Sequence, residues 1–303
     1  QVSIEAITEG MKILKKAKCA FHNAYFDLVI IYKATGIMLT TYWDTLVAGH
    51  LLDENESHSL KDLYAKYILH GNVDPTYYGE LFSGVPFCYV PPKVGMAYAA
   101  KDAKMTYELY KFQERFLTVG TPECKEYKLE KLAKLHREEI LPMIPVLVDM
   151  KLTGMEFDFD EAAKLKDKYE RLKSDAIIAF NQSLAPFKEE IIKRGLPYPL
   201  NYNSVPQIKA LFYDIAKIGV VYRKEPTGTG NNVLDSILAL DKFKNNPIRN
   251  VAKCIKEVKA YDKVISSFID KLTNDARLHN GIIHSDLKLE GTVTGRLASA
   301  NPK

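Results

Sequence analysis

Two pairs of polar residues share one spacing. Asn23 and Asp27 lie four apart in His22-Asn23-Ala24-Tyr25-Phe26-Asp27, and Tyr98 and Asp102 lie four apart in Tyr98-Ala99-Ala100-Lys101-Asp102. On a helix that spacing puts both side chains on one face. Carboxylates converging from separate elements are what phosphodiester hydrolysis with two divalent ions requires, because the ions flank the attacking and the leaving oxygen. A tyrosine beside them, with an ordinary pKa near ~10, is suited to orienting a water rather than taking its proton. Alone, each pentapeptide is more often a solvated helix face or a cap. A third run, Gly291-Thr-Val-Thr-Gly-Arg-Leu-Ala-Ser-Ala-Asn-Pro302, places Arg296 in a turn-like setting. A guanidinium can test base-pair geometry without reading sequence, since every pair presents the purine N3 or pyrimidine O2 acceptor in the minor groove.

The elements that would position these groups follow from periodicity. Ile4, Ile7, Met11 and Leu14 recur at helical spacing and lead into the short apolar run Cys19 to Phe21, so a helix followed by a strand is expected. Helices are also expected over 25–32, closed by Gly36, and over 45–52, 60–69 and 95–116, with a Gly-, Pro- and Tyr-rich loop at 71–94. An amphipathic pattern runs through 123–151, where Pro142 and Pro145 should kink it. A helix near 160–184 follows. Ser204 precedes Gln207 at the spacing of a capping box, with Pro206 in the first turn of a further helix. Residues 225–232 read as a flexible loop, 250–272 as a long helix, and 276–300 as turns and strands.

Composition bounds the class. The 303 residues are 47% hydrophobic and 26% charged, enough for a substantial core divided over two or three domains. A net charge of +4 does not by itself indicate a polyanion partner, so the local distribution decides. Residues 241–272 carry eight Lys or Arg against four Asp or Glu, and Lys253, Lys256, Lys259 and Lys263 fall opposite an apolar stripe of Val251, Ile255, Val258, Ile265, Ile269 and Leu272. The four cysteines form no C-x-x-C pair, which favours a reducing compartment and argues against a zinc site. There is no run of about 18 apolar residues and no leader-like opening, so an intracellular, soluble protein is expected. The first residue, Gln1, suggests that something preceded it.

Read together, these runs resemble known families. The Asn23–Asp27 and Tyr98–Asp102 pairs, joined by Trp43-Asp44-Thr45-Leu46-Val47-Ala48 and Ser59-Leu60-Lys61-Asp62-Leu63, are similar to the second and third motifs of DEDDy 3′–5′ exonucleases of the ribonuclease H-like fold. The resemblance implies that Asp27 and Asp102 are catalytic metal-site carboxylates for Mg²⁺, that Tyr98 orients the nucleophilic water, and that Asn23 holds single-stranded DNA 3′ ends. The family's first motif, an Asp-x-Glu on an early strand, has no counterpart, since no aspartate occurs in residues 1–26. Exonuclease activity of these residues alone is therefore expected to be inefficient.

The run 291–302 closely resembles the T-x-T-G-R-L-S-S-x-x-P motif at the start of the family A DNA polymerase palm, with Ala298 where Ser is usual. It implies that Thr294 and Arg296 contact primer-template DNA. Residues 139–150 with Gly154 and Asp158 resemble the entry to the thumb, and Asn201-Tyr-Asn-Ser204-Val-Pro-Gln207 resembles the thumb tip, where Asn201 and Ser204 meet the DNA backbone; Lys256 and Lys259 would add phosphate contacts.

The implied architecture is α/β, or α+β overall: a partial exonuclease domain at 1–116, a palm-entry helix at 117–155, a thumb at 156–272, and the start of the palm at 273–303. The implied function is part of a template-directed DNA polymerase with a proofreading module, acting in replication or repair and using deoxynucleoside triphosphates in the complete enzyme. The palm aspartates and the fingers are expected beyond Lys303, so the chain should not polymerise unaided. Two alternatives stand beside this: a DNA-binding or structural subunit completed by a second polypeptide, and a ribonuclease D-like exonuclease with a helical appendage.

Overall fold

The computed structural model describes residues 3–72, 84–86, 89–292 and 295–301. Most of the loop expected at 71–94, and Thr294, lie outside the described residues. The chain forms two compact units, 1–155 with 284–303, and 156–283.

The first unit opens with α1 (Ile4–Leu14), whose cap Ser3 accepts the Ala6 N–H at 3.3 Å. Then come β1 (Cys19–Phe21), α2 (Ala24–Thr35), β2 (Thr41–Asp44), α3 (Thr45–Leu52) and α4 (Leu60–Tyr67). β1 and β2 pair in parallel, aligning Ala20 with Trp43 and Phe21 with Asp44. Gly36 ends α2 in the left-handed conformation at φ 68°, which a residue without Cβ adopts freely. α5 (Pro92–Glu114) is 23 residues long and starts three residues earlier than the apolar pattern indicates. The start is set by Pro92 at the first helical position, where a missing N–H costs nothing.

Residues 123–151 are not one kinked helix. The chain forms α6 (Pro122–Glu126), α7 (Glu130–Lys134), a π-helical segment Leu135–Ile140, and α8 (Leu141–Thr153). Pro142 has no N–H to give to residue 138, so the regular ladder fails just before it and the turn widens instead. Pro145 stays inside α8. Two apolar clusters hold this unit: Ala24, Leu28, Leu39, Leu141, Ile144 and Val148, and a smaller one of Trp43, Ala48 and Leu117. The Trp43 indole N–H donates to Gln113 Oε1 at 3.1 Å, and Gln113 Nε2 donates to the Thr45 carbonyl at 2.9 Å, so the buried polar atoms at the foot of α5 are paired.

β3 (Met155–Glu156) leads to the second unit. Its main helix, α9 (Phe159–Ser183), begins at Asp158, which accepts the Glu161 N–H at 2.9 Å. After α10 (Lys188–Lys193) and α11 (Val205–Lys209), a π-helical segment Ala210–Ile215 continues the last of these. α12 (Asn231–Ala239) arises within the segment read as loop up to Asn232, because Val233, Leu234 and Ile237 bury one face in the core. The long helix expected at 250–272 runs as α13 (Pro247–Lys263), a π-helical segment Val264–Asp270 and α14 (Lys271–Leu278), with Asn246 capping through the Ile248 N–H at 3.0 Å. β4 (Ile282–Ile283) ends the unit.

The apolar stripe sits as its spacing requires: Val251, Ile255 and Val258 are wholly buried, and Ile265 and Ile269 nearly so. α9 and α13 run antiparallel, since Lys166 pairs with Asp270 at 2.7 Å and Lys173 with Asp262 at 2.5 Å. Phe180, Leu184, Phe212 and Ile255 belong to one buried apolar core in this unit. Back in the first unit, β5 (Asp286–Lys288) and β6 (Ala298–Ala300) form an antiparallel hairpin.

Candidate functional site

Asp44 is the buried hub of the exonuclease-like region. Its carboxylate accepts backbone N–H groups from Asn23 (3.1 Å), Ala24 (2.7 Å), Leu46 (3.0 Å) and Val47 (3.4 Å). One side chain thus caps α3 and fixes the start of α2, and it holds Asn23 in the left-handed conformation at φ 67°. Burial pushes its pKa up, against the four hydrogen bonds that favour the charged form. Asp44 lies in the stretch that joins the two motif pairs, and its sequence signal is an aspartate directly before an apolar helix.

Asp27 lies one turn into α2, half-buried. Burial, and then the charge of Asp44, raise its pKa to about 6. His22 Nδ1 lies 2.9 Å from the Thr45 hydroxyl, and burial, then Lys61, then His58 depress its pKa to about 4. It is neutral at pH 7.

Tyr98 and Asp102 are brought together by a residue that the motif pairs did not single out. The Lys61 ammonium pairs with Asp102, stands 4.8 Å from the centroid of the Tyr98 ring and lies 3.9 Å from Met105 Sδ. α4 and α5 are locked in register beyond this point: the Tyr64 hydroxyl donates to Glu108 at 2.5 Å, and Tyr67 stacks on Phe112 at 5.0 Å. Among the described residues, no group of three or more His, Cys, Asp or Glu is placed to hold a metal ion. A two-ion Mg²⁺ site needs several oxygen donors around each ion, and here Asp102 is already neutralised by an ammonium. The donor set present does not fit such a site.

The Arg296 hairpin belongs to the same unit. Asp286 pairs with Lys151 of α8 at 2.6 Å and accepts from Asn301 Nδ2 at 3.3 Å. Lys151 Nζ also donates to the His284 carbonyl at 2.7 Å, and the Leu287 N–H donates to the Tyr25 hydroxyl at 3.3 Å. A cleft of about 260 Å³ lies between α2 and this strand, lined by Asn23, Phe26, Lys288 and Glu290 among others. The turn is closed by the Thr292 hydroxyl donating to the Arg296 carbonyl at 2.7 Å, with Gly295 at φ 72°. A Cβ on Gly291 would stand 2.3 Å from that of Ala298, so the hairpin closes only with glycine there. Arg296 itself is exposed.

In the second unit one expectation needs correction. The capping box at Ser204 does not form: Ser204 precedes α11 but its side chain makes no capping bond, and Gln207 Oε1 accepts the Asn201 N–H at 2.7 Å. The Asn201 side chain accepts the Asn203 N–H at 2.9 Å, so it shapes this turn itself. The α13 lysines differ in their surroundings. Lys256 pairs with Asp235 of α12, and Lys253 lies 3.8 Å from Glu257. Lys259 is half-buried, and desolvation lowers its pKa.

Two family models match this chain in order. That of a 3′-5′ exonuclease covers residues 4–117, and that of DNA polymerase family A covers 171–303. The chain belongs to the family A DNA polymerases. It is similar to DNA polymerase I of Borreliella burgdorferi, 25% identical over 92% of this chain and 27% of the relative, and to that of Chloroflexus aurantiacus, 28% identical over 93% and 28%. The chain thus spans little more than a quarter of these relatives' length. Its fold is similar to that of the POL domain of Pol1 from M. smegmatis in complex with DNA primer-template and dNTP, with a TM-score of 0.70 and 17% identity, covering 100% of this chain and 45% of the other. The polymerase match at 171–303 overturns the ribonuclease D-like alternative. No helix among the described residues is long and apolar enough to cross a membrane.

Proposed function

We propose that this chain is the exonuclease-like module, thumb and first palm segment of a template-directed DNA polymerase, and that its own contribution is to grip primer-template DNA. The observation that carries the reading is the Arg296 hairpin. An exposed guanidinium stands on a turn that glycine, the Thr292 hydroxyl and the Lys151–Asp286 pair hold in place. Arg296 and Thr294 contact the minor groove near the primer end. Lys259, Asn201 and Ser204 meet phosphates, and Lys256 does so only after leaving Asp235. Asn23, Asp27, Tyr98 and Asp102 line the place where a single-stranded 3′ end enters. In the complete enzyme the substrates are deoxynucleoside triphosphates, and the role is replication or repair synthesis with proofreading. Because the donors present do not fit two Mg²⁺ ions, no hydrolytic step is assigned to these residues.

The test is fluorescence anisotropy with labelled primer-template. Arg296→Ala should weaken binding by about 1–3 kcal/mol, alike for every terminal base pair. Unchanged affinity would remove the central contact.

A second reading, in which another polypeptide completes the module, is favoured by the β1–β2 pair. Parallel strands ordinarily lie within larger sheets covered on both faces, and among the described residues this parallel sheet has two short strands. Degradation of single-stranded 3′ ends gained on mixing with a polypeptide that supplies further strands and carboxylates to this sheet would support it.

A further inference from the structure

We infer that Lys61 is a built-in cation that takes the place of a divalent metal on Asp102, so that Lys61 sets the metal requirement of the exonuclease-like site. The inference rests on the reading of that region as a site for nucleic-acid ends, and it concerns the Asp102 carboxylate, which Lys61 neutralises.

Tyr98, Asp102 and Met105 succeed one another at spacings of four and three, so they form one face of α5. Lys61 lies along that face and touches all three: the carboxylate by ion pairing, the ring by cation–π contact at 4.8 Å, and the sulfur at 3.9 Å. Its side chain is 19% exposed and that of Asp102 28%. A pair so shielded is screened little by salt, unlike a surface pair.

The ammonium is also fixed. It projects from the first turn of α4, where Ser59 caps the helix through the Asp62 N–H at 3.2 Å. The next contacts along both helices, Tyr64 with Glu108 and Tyr67 with Phe112, keep the two in register. Sliding Lys61 off Asp102 therefore breaks two further ties. A hard cation binds a carboxylate through one or both oxygens, and the ammonium competes for those oxygens with a single charge and no demand for extra ligands. An acid that a metal would share with water is thereby reserved for a side chain. The expected consequence is a module that holds a strand end through Lys61 and Asn23 without a metal at Asp102.

Terbium(III), a hard oxygen-seeking ion whose emission is sensitised by a nearby tyrosine, tests this on the full 303-residue chain. Wild type, Lys61→Met, Lys61→Gln and the double variant Lys61→Met/Asp102→Asn are titrated, with folding followed by circular dichroism. Lys61→Met should gain sensitised emission with an affinity at least about tenfold above wild type. The double variant should lose that gain, and Lys61→Gln carries the same comparison if the methionine variant does not fold. Equal terbium binding by wild type and the Lys61 variants, or a gain in Lys61→Met that the double variant keeps, overturns the inference. Binding of an oligo(dT) probe is measured alongside. Its absence in every variant would sink the nucleic-acid reading, while the terbium result still decides the role of Lys61.

Discussion

The junction around Asp44 and the α9–α13 pair are stabilised in opposite ways. At the junction one wholly buried carboxylate gathers four backbone N–H groups from two helix starts, so charge sits at the centre and the strands are short. In the helix pair the centre is apolar, and the charges, Lys166 with Asp270 and Lys173 with Asp262, lie along the flanks. A buried hub positions a few atoms sharply but makes them depend on one side chain. A long apolar seam spreads its stabilisation over many residues and leaves the outer face available for contacts.

The sharpest way to break the comparison is Asp44→Ala, which leaves four backbone donors without an acceptor. Urea denaturation should show a loss of about 3–5 kcal/mol, confined to the first unit, with Asp44→Asn less severe. A loss under about 1 kcal/mol would mean that the hub is not the organiser. Phe180→Ala tests the seam: a large buried ring removed from a close-packed core should cost about 3–4 kcal/mol in the second unit. If the two variants destabilise the same unit, the contrast fails.

Acid titration probes the first unit next. His22 and His136 have folded pKa values near 4, below their unfolded values, so the unfolded chain binds more protons and stability falls as pH drops from about 6.5 towards 4. Asp27 works in the other direction. Its folded pKa of about 6 lies above the unfolded one, so the folded chain binds more protons and gains stability as pH falls through 6. His136 is wholly buried against Trp43 at 4.6 Å, and neither ring nitrogen has a partner. His136→Leu should flatten the fall in melting temperature between pH 6.5 and 4, and Asp27→Asn should steepen it. No change in either slope would refute this account of the acid limb.

The smallest effect concerns DNA. Lys259→Ala should reduce the salt slope of primer-template binding by about one unit, and Lys256→Ala by less, since Asp235 already neutralises it. Equal slopes for the two would show that the Lys256 pair opens freely on binding.

Much of this protein was legible in its residues. The apolar stripe from Val251 to Ile269, the helix closed by Gly36 and the Asp158 start of α9 follow from local periodicity and capping, which act over a few residues whatever else surrounds them. The paired spacings at Asn23–Asp27 and Tyr98–Asp102, and the run from Gly291 to Pro302, were enough to point to the family. What only the tertiary structure decided is how charge is shared between elements distant in sequence. That Asp44 serves Asn23, that Lys61 claims Asp102 across forty-one positions, and that Asp235 claims Lys256 depend on which helices lie side by side. Register between packed helices is set by side-chain volumes along the whole contact, so a pentapeptide identifies a candidate carboxylate while its neighbours in space determine which cation it meets.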